Sequence, residues 1–222
     1  RVTLEVRDHE HSPQRDIILK KCYRNSRPVL VSAHGLGFGI YRDPPPERKT
    51  GLVQMFGQPE LWTDIGYKVD EGDLALGQHV SLVRTSETSP LFLEEHSPVE
   101  DLITFRTFSD QALQAEWVAD QIVEDLTAGE LRYEDIVVIN TDPISARKKL
   151  ALVRKALLDR RIPSHLAGVD TLQDVFFQAD SITCTGIHRA KGNEAAMVYV
   201  INGDECDTDS ANLSRLRNRL FT

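Results

Sequence analysis

The second half of the chain alternates continuous apolar runs with amphipathic stretches. Asp135 to Asn140 reads Asp-Ile-Val-Val-Ile-Asn, the pattern of a strand covered on both faces. Ser181 to Thr185 and Met197 to Ile201 repeat it, and Leu102 to Phe105 and Ile162 to Leu166 predict two further short strands. Between these runs, Ala112 to Leu126 carries Leu113, Trp117, Ile122 and Leu126 at helical spacing, and Ala146 to Asp159 predicts a second helix. Strands alternating with helices imply right-handed crossovers and an α/β fold. Its sheet is expected to be mainly parallel, with helices on both faces.

Nearer the start, apolar runs at Ile17 to Cys22 and Val29 to Ala33 flank a polar stretch, Tyr23 to Arg27. This predicts a strand, a turn and a helix, with Ser26 as N-cap, Pro28 in the first turn, and an end at Gly35, Gly37 and Gly39. Asp43-Pro44-Pro45-Pro46 fits neither a helix nor a central strand and marks a boundary. From Leu52 to Pro98 the apolar patches shorten. Gly66 to Val69 and His79 to Val83 predict a small hairpin around Asp70-Glu71-Gly72-Asp73. The expected organisation is one α/β domain made of residues 17–42 and 101–222, with residues 43–100 as a β-rich insertion or small subdomain.

With 222 residues, 41% of them hydrophobic, the chain can bury one core, or a core and an appendage. No apolar run approaches the roughly 20 residues needed to cross a bilayer. The three cysteines, Cys22, Cys184 and Cys206, have no metal-ligand spacing, and no metal site is expected. Cys184 lies in an apolar strand pattern as a small buried thiol, and a reducing cytoplasm fits. The first residue is Arg1 and the last Thr222, which suggests a fragment of a longer protein. A formal net charge of −8 argues against nucleic acid until local clusters are considered. Arg189, Lys191, Arg215, Arg217 and Arg219 fall close together near the C-terminus.

Ligands of a parallel sheet gather beyond the C-terminal ends of its strands. The candidate chemistry there is Ile187-His188-Arg189-Ala190-Lys191-Gly192-Asn193-Glu194, between the last two strands. Cations and exposed backbone amides suit phosphates, and a carboxylate can accept from a ribose hydroxyl. The alternative is a solvated polar loop in which Glu194 pairs with Lys191.

Ile182 to Glu194 resembles motif V of the UvrD/Rep-type superfamily 1 DNA helicases, an apolar strand followed by Thr-x-His-x-x-Lys-Gly-x-Glu. The resemblance implies that His188 contacts single-stranded DNA, with Arg189 and Lys191 in the same nucleic-acid segment. It also implies that Glu194, beside Gly192, contacts the nucleotide sugar. Gly186 stands where the family has Thr, and Asn193 where it has Leu. Thr185, one place earlier, is the substitute for the Thr phosphate contact, although strand alternation turns it to the opposite face. Cys22-Tyr23-Arg24-Asn25-Ser26 resembles motif IV, which implies an arginine finger at Arg24 reaching the ATP γ-phosphate. Weaker likenesses follow at Gln114 to Ile122, Tyr133 to Val138 and Arg161 to Gly168. Leu213 to Thr222 looks like the opening of motif VI.

The resemblance therefore implies a RecA-like C-terminal motor domain of an ATP-dependent DNA helicase, inactive alone. ATP and Mg²⁺ would be held mainly by the N-terminal RecA-like domain of the same protein, since this chain has no phosphate loop of the Gly-x-x-x-x-Gly-Lys-Ser/Thr kind. Single-stranded DNA is the expected partner, and no membrane is involved. The alternative is a non-hydrolysing RecA-like module that binds nucleic acid or a protein partner. A self-contained α/β enzyme is the remaining reading, and no Gly-x-Ser-x-Gly or His-Glu-x-x-His signature supports it.

Overall fold

Strand β3 (Ile136–Asn140) forms because four β-branched apolar residues in succession suit a site covered on both faces, and Ile136, Val137 and Val138 are indeed buried. It pairs in parallel with β5 (Ile182–Gly186) on one side and β6 (Met197–Ile201) on the other, and β4 (Ser164–Leu166) pairs in parallel with β5. The resulting order is β4-β5-β3-β6. This is a computed structural model. It describes residues 20–38, 60–75, 78–89, 91–142 and 144–206. The predicted features at residues 17–19, 39, 43–46 and 213–222 lie outside them.

The chain divides into two compact units. Among the described residues one comprises 20–32 with 60–104, the other 33–38 with 105–206. Residues 20–32 thus group with the hairpin region rather than with the parallel sheet, whereas the sequence boundaries join 17–42 to 101–222.

In the sheet-bearing unit, helix α5 (Gln111–Thr127) starts at Asp110, whose carboxylate accepts from the Leu113 amide at 2.8 Å. Its Ala115, Val118, Ala119 and Ile122 pack with Leu150, Val153, Ala156 and Leu157 of helix α6 (Ala146–Asp159) and with Ile136, Val138, Ile182, Cys184 and Ile201 of the sheet. Tyr199 anchors β6 by donating from its hydroxyl to Asp125 of α5 at 2.5 Å. Burial raises the Asp125 carboxyl above its ordinary range against that hydrogen bond. As the edge strand, β6 buries Ile201 but leaves Val198 and Val200 exposed.

The other unit contains helix α2 (Glu60–Asp64) and an antiparallel hairpin of β1 (Tyr67–Gly72) and β2 (Val80–Arg84). Asp70, Glu71 and Gly72 of the predicted turn belong to β1, with a register irregularity between Val69 and Glu71, and the connection begins at Asp73. Two short helices, α3 (Phe92–His96) and α4 (Val99–Leu102), complete it. The strand predicted at Leu102 to Phe105 does not form. Pro98 opens a helical turn that takes Leu102, and Ile103 is extended without joining the sheet. Helix α1 (Arg27–Phe38) runs through Gly35 and Gly37 instead of ending there. Glycine costs a helix about 1 kcal/mol per residue, too little to stop one by itself. No helix among the described residues is long and apolar enough to cross a membrane.

Cys184 is fully buried, and burial pushes its thiol up to about 12, against a weaker downward pull from Arg154. Iodoacetamide at mildly alkaline pH is therefore expected to leave Cys184 unmodified in the folded chain while labelling half-buried Cys22, as read by peptide mass. Rapid labelling of Cys184 without denaturant would contradict this packing.

Candidate functional site

All of Ile182 to Thr185 is buried, so β5 delivers Gly186 rigidly to the C-terminal edge, where it pairs with Asn140. Gly186 caps helix α7 (Ile187–Ala190), a single turn that buries Ile187 and Ala190 and exposes His188. Lys191 and Gly192 follow, both exposed. Gly192 has φ of +88°, a backbone state that favours glycine, and a Cβ there would meet nothing within 4 Å. The peptide is thus open to close approach. Asn193 closes the turn, with its amide on the Ala190 carbonyl at 3.0 Å and its Nδ2 on the Arg189 carbonyl at 3.2 Å. The asparagine at this departure from the motif pattern is therefore a turn-closing residue.

His188, Lys191 and Gly192 come together as one exposed turn. Thr185 does not join them: it is wholly buried, and its hydroxyl donates to the Gly186 carbonyl at 3.4 Å, closed to a phosphate. Arg189 is half-buried, and its guanidinium donates to the Gln173 carbonyl. Glu194 is exposed, but the segment has by then crossed toward the N-terminal end of the sheet, since Met197 pairs with Ile136. There Glu194 lines an open depression of about 520 Å³ with Arg132, Glu134, Asp135 and Phe177. Arg132 is committed to its acidic neighbours, at 3.0 Å from Asp135 and 3.6 Å from Glu134. Its hydrogen bonds hold Asp135 below the usual carboxylate range. Arg24, in the other unit, is exposed at a bend just before α1, and the Ser26 carbonyl takes the Leu30 amide to start that helix.

A buried polar network at the C-terminal ends of β3 and β6 escaped the sequence reading. Asn202 donates from Nδ2 to Asn140 Oδ1 at 2.6 Å, Thr141 donates to the Asn202 carbonyl at 2.6 Å, and Asn140 donates to the Asp142 carbonyl at 2.7 Å. Asp142 accepts from the Ser145 hydroxyl and from the Ile144 amide, and Lys149 bridges Asp142 and Glu205. The Ser145 hydroxyl foremost, then the Ile144 amide and Lys149, hold Asp142 below the ordinary carboxylate range although burial opposes them. The available signal was an asparagine at the end of β3 and another directly after β6, a residue that can bond laterally where a pleat stops. The network braces the edge from which α7 projects. Among the described residues no group of three or more His, Cys, Asp or Glu side chains could hold a metal ion.

Comparison of the chain with protein-family models, with curated proteins and with solved structures finds no match.

Proposed function

We propose that this chain is a RecA-like C-terminal motor domain of the UvrD/Rep type, contributing nucleic-acid and nucleotide contacts to an ATP-driven DNA translocase. One observation carries the reading. The segment that resembles motif V leaves a fully buried parallel strand at its C-terminal edge and presents His188, Lys191 and the open Gly192 peptide together. A cation, an imidazole and an unobstructed peptide suit a phosphodiester backbone followed without base specificity. Exposed Arg24, at the turn that resembles motif IV, suits an arginine finger, with ATP and Mg²⁺ bound mainly by a partner motor domain.

A second reading is favoured by the surroundings of Glu194. Glu134 and Asp135 line the same depression, and Arg132 is spent on them. Added negative charge there repels a triphosphate. A nucleic-acid-binding module without hydrolysis accommodates that arrangement.

The test is titration of the purified chain into a fluorescein-labelled oligodeoxythymidylate, followed by anisotropy at several salt concentrations. Weak binding that falls steeply with salt is expected, with no ATP hydrolysis by the chain alone. Lys191→Ala should lower affinity and flatten the salt dependence by about one phosphate contact. Binding indifferent to both salt and Lys191→Ala would refute the nucleic-acid assignment.

A further inference from the structure

Arg189 is the third polar side chain of the α7 segment with His188 and Lys191, and it is not placed like the other two. His188 and Lys191 are exposed, whereas the Arg189 guanidinium folds back over Gly168 in the loop after β4. A Cβ on Gly168 would stand 2.4 Å from Cζ, 2.6 Å from Nη1 and 2.8 Å from Nη2 of Arg189, closer than any real side chain permits. Gly168 also holds φ of +73°, so both its backbone and its missing side chain serve this contact. Nη2 donates to the Gln173 carbonyl, while Nε is sealed from solvent without a hydrogen bond. One acid of that loop, Asp170, is taken by Arg154 at 2.7 Å and by the Leu166 amide at 2.9 Å.

The seat beneath the guanidinium is firm. The Val169 and Asp170 amides return to the Leu166 carbonyl at 3.0 and 2.9 Å. The Gly168 amide donates to the Thr171 hydroxyl at 2.9 Å, which in turn donates to the Val175 carbonyl at 2.9 Å. By contrast α7 has four residues, far too few to hold itself as a helix in water. Its direction must come from tertiary contacts, and besides the buried Ile187 and Ala190 the contact that reaches a braced loop is Arg189.

We infer that Arg189 is a positioning residue that clamps α7 to the Gly168–Gln173 loop, leaving His188 and Lys191 as the side chains α7 offers to a nucleic-acid backbone. The clamp stands on geometry alone; its consequence for nucleic acid rests on the proposed function. A guanidinium held over Gly168, with Nη2 on the Gln173 carbonyl, has turned one arm of the fork away from a phosphate.

Gly168→Ala, Arg189→Lys and Arg189→Ala separate the clamp from a direct phosphate contact. Gly168→Ala keeps every cation but fills the space the guanidinium occupies. Arg189→Lys keeps the charge but loses the planar fork. In all three, hydrogen exchange at amides 187–192 should quicken by about tenfold, the scale of one lost charge-assisted hydrogen bond. Oligodeoxythymidylate affinity should fall severalfold in all three, while the urea midpoint of Arg189→Lys stays near that of the native chain.

Native exchange rates at 187–192 in Gly168→Ala and Arg189→Lys would overturn the clamp. So would an affinity loss confined to Arg189→Ala, which would make Arg189 a direct phosphate contact. If Gly168→Ala does not fold, Arg189→Lys decides alone. If the native chain ignores the oligonucleotide, or binds it indifferently to both salt and Lys191→Ala, the proposed function fails and the exchange rates still judge the clamp.

Discussion

Replacing Arg24 with alanine, in a protein that joins this domain to an ATP-binding motor domain, is expected to lower kcat for DNA-stimulated ATP hydrolysis by about 10³-fold, the range of arginine fingers. This corresponds to about 4 kcal/mol of lost transition-state stabilisation. The expectation follows from the proposed function and from the place of Arg24, exposed at a bend ahead of α1. A guanidinium there can meet charge that develops on the transferring phosphoryl oxygens, so its contribution belongs to the transition state rather than to ground-state binding. Nucleotide affinity should therefore change far less than kcat. Arg24→Lys should rescue poorly, because an ammonium cannot reproduce the bidentate fork. The stability of the chain should move by less than about 0.5 kcal/mol, as for other exposed substitutions. Full ATPase activity in Arg24→Ala would dismiss the motif IV assignment. Loss of folding would make Arg24 structural instead.

Arg84→Met is expected to cost about 3 kcal/mol, the upper end of the scale for leaving buried hydrogen-bond acceptors unserved. Arg84 is 3% exposed, and nothing in the sequence marks it out. Its Nε donates to the Ser89 hydroxyl at 2.8 Å, Nη1 to the Ile65 carbonyl at 2.5 Å, and Nη2 to the Lys20 and Thr88 carbonyls at 3.0 and 2.9 Å. Its Cζ also lies 5.1 Å from the centroid of the Tyr67 ring. Burial pushes the Tyr67 hydroxyl up to about 12 despite that positive neighbour. Methionine fills much of the volume but takes the guanidinium donors from the Ser89 hydroxyl and the Ile65 and Lys20 carbonyls, while the Thr88 carbonyl keeps the Cys22 amide. Lysine, with three donors on one atom, cannot span them. Hydrogen-exchange protection at residues 67–84 should collapse while amides in 136–201 stay protected, given the division into two units. A cost below about 1 kcal/mol would show that water replaces the guanidinium without penalty.

The parallel core was legible because burial on both faces leaves a local trace. The uninterrupted β-branched run at residues 136–139 has no other use, and the apolar stripe of Ala146–Asp159 reports its own packing. The apolar run of β6 reads the same but lies at the sheet edge, with Val198 and Val200 exposed. The same local logic misjudged α1, where burial of Gly35 and its neighbours outweighs glycine's small penalty, and Leu102, which a Pro98-initiated turn captured.

At the candidate site the sequence by itself determined which residue types cluster between β5 and β6, and it set glycine at positions 168 and 192. It did not determine what those residues touch. Tertiary structure alone decided that Thr185 faces inward, that Arg189 lies on Gly168, that Glu194 stands with Glu134 and Asp135, and that Asn140 meets Asn202. The partners of Arg84 likewise span Lys20 to Ser89. The physical reason is the range of the forces. Hydrophobic periodicity is written residue by residue along one element, so a single segment reveals it. A hydrogen bond or a stacked guanidinium depends on register and chain crossing between distant segments, and those are fixed only when the whole sheet has closed.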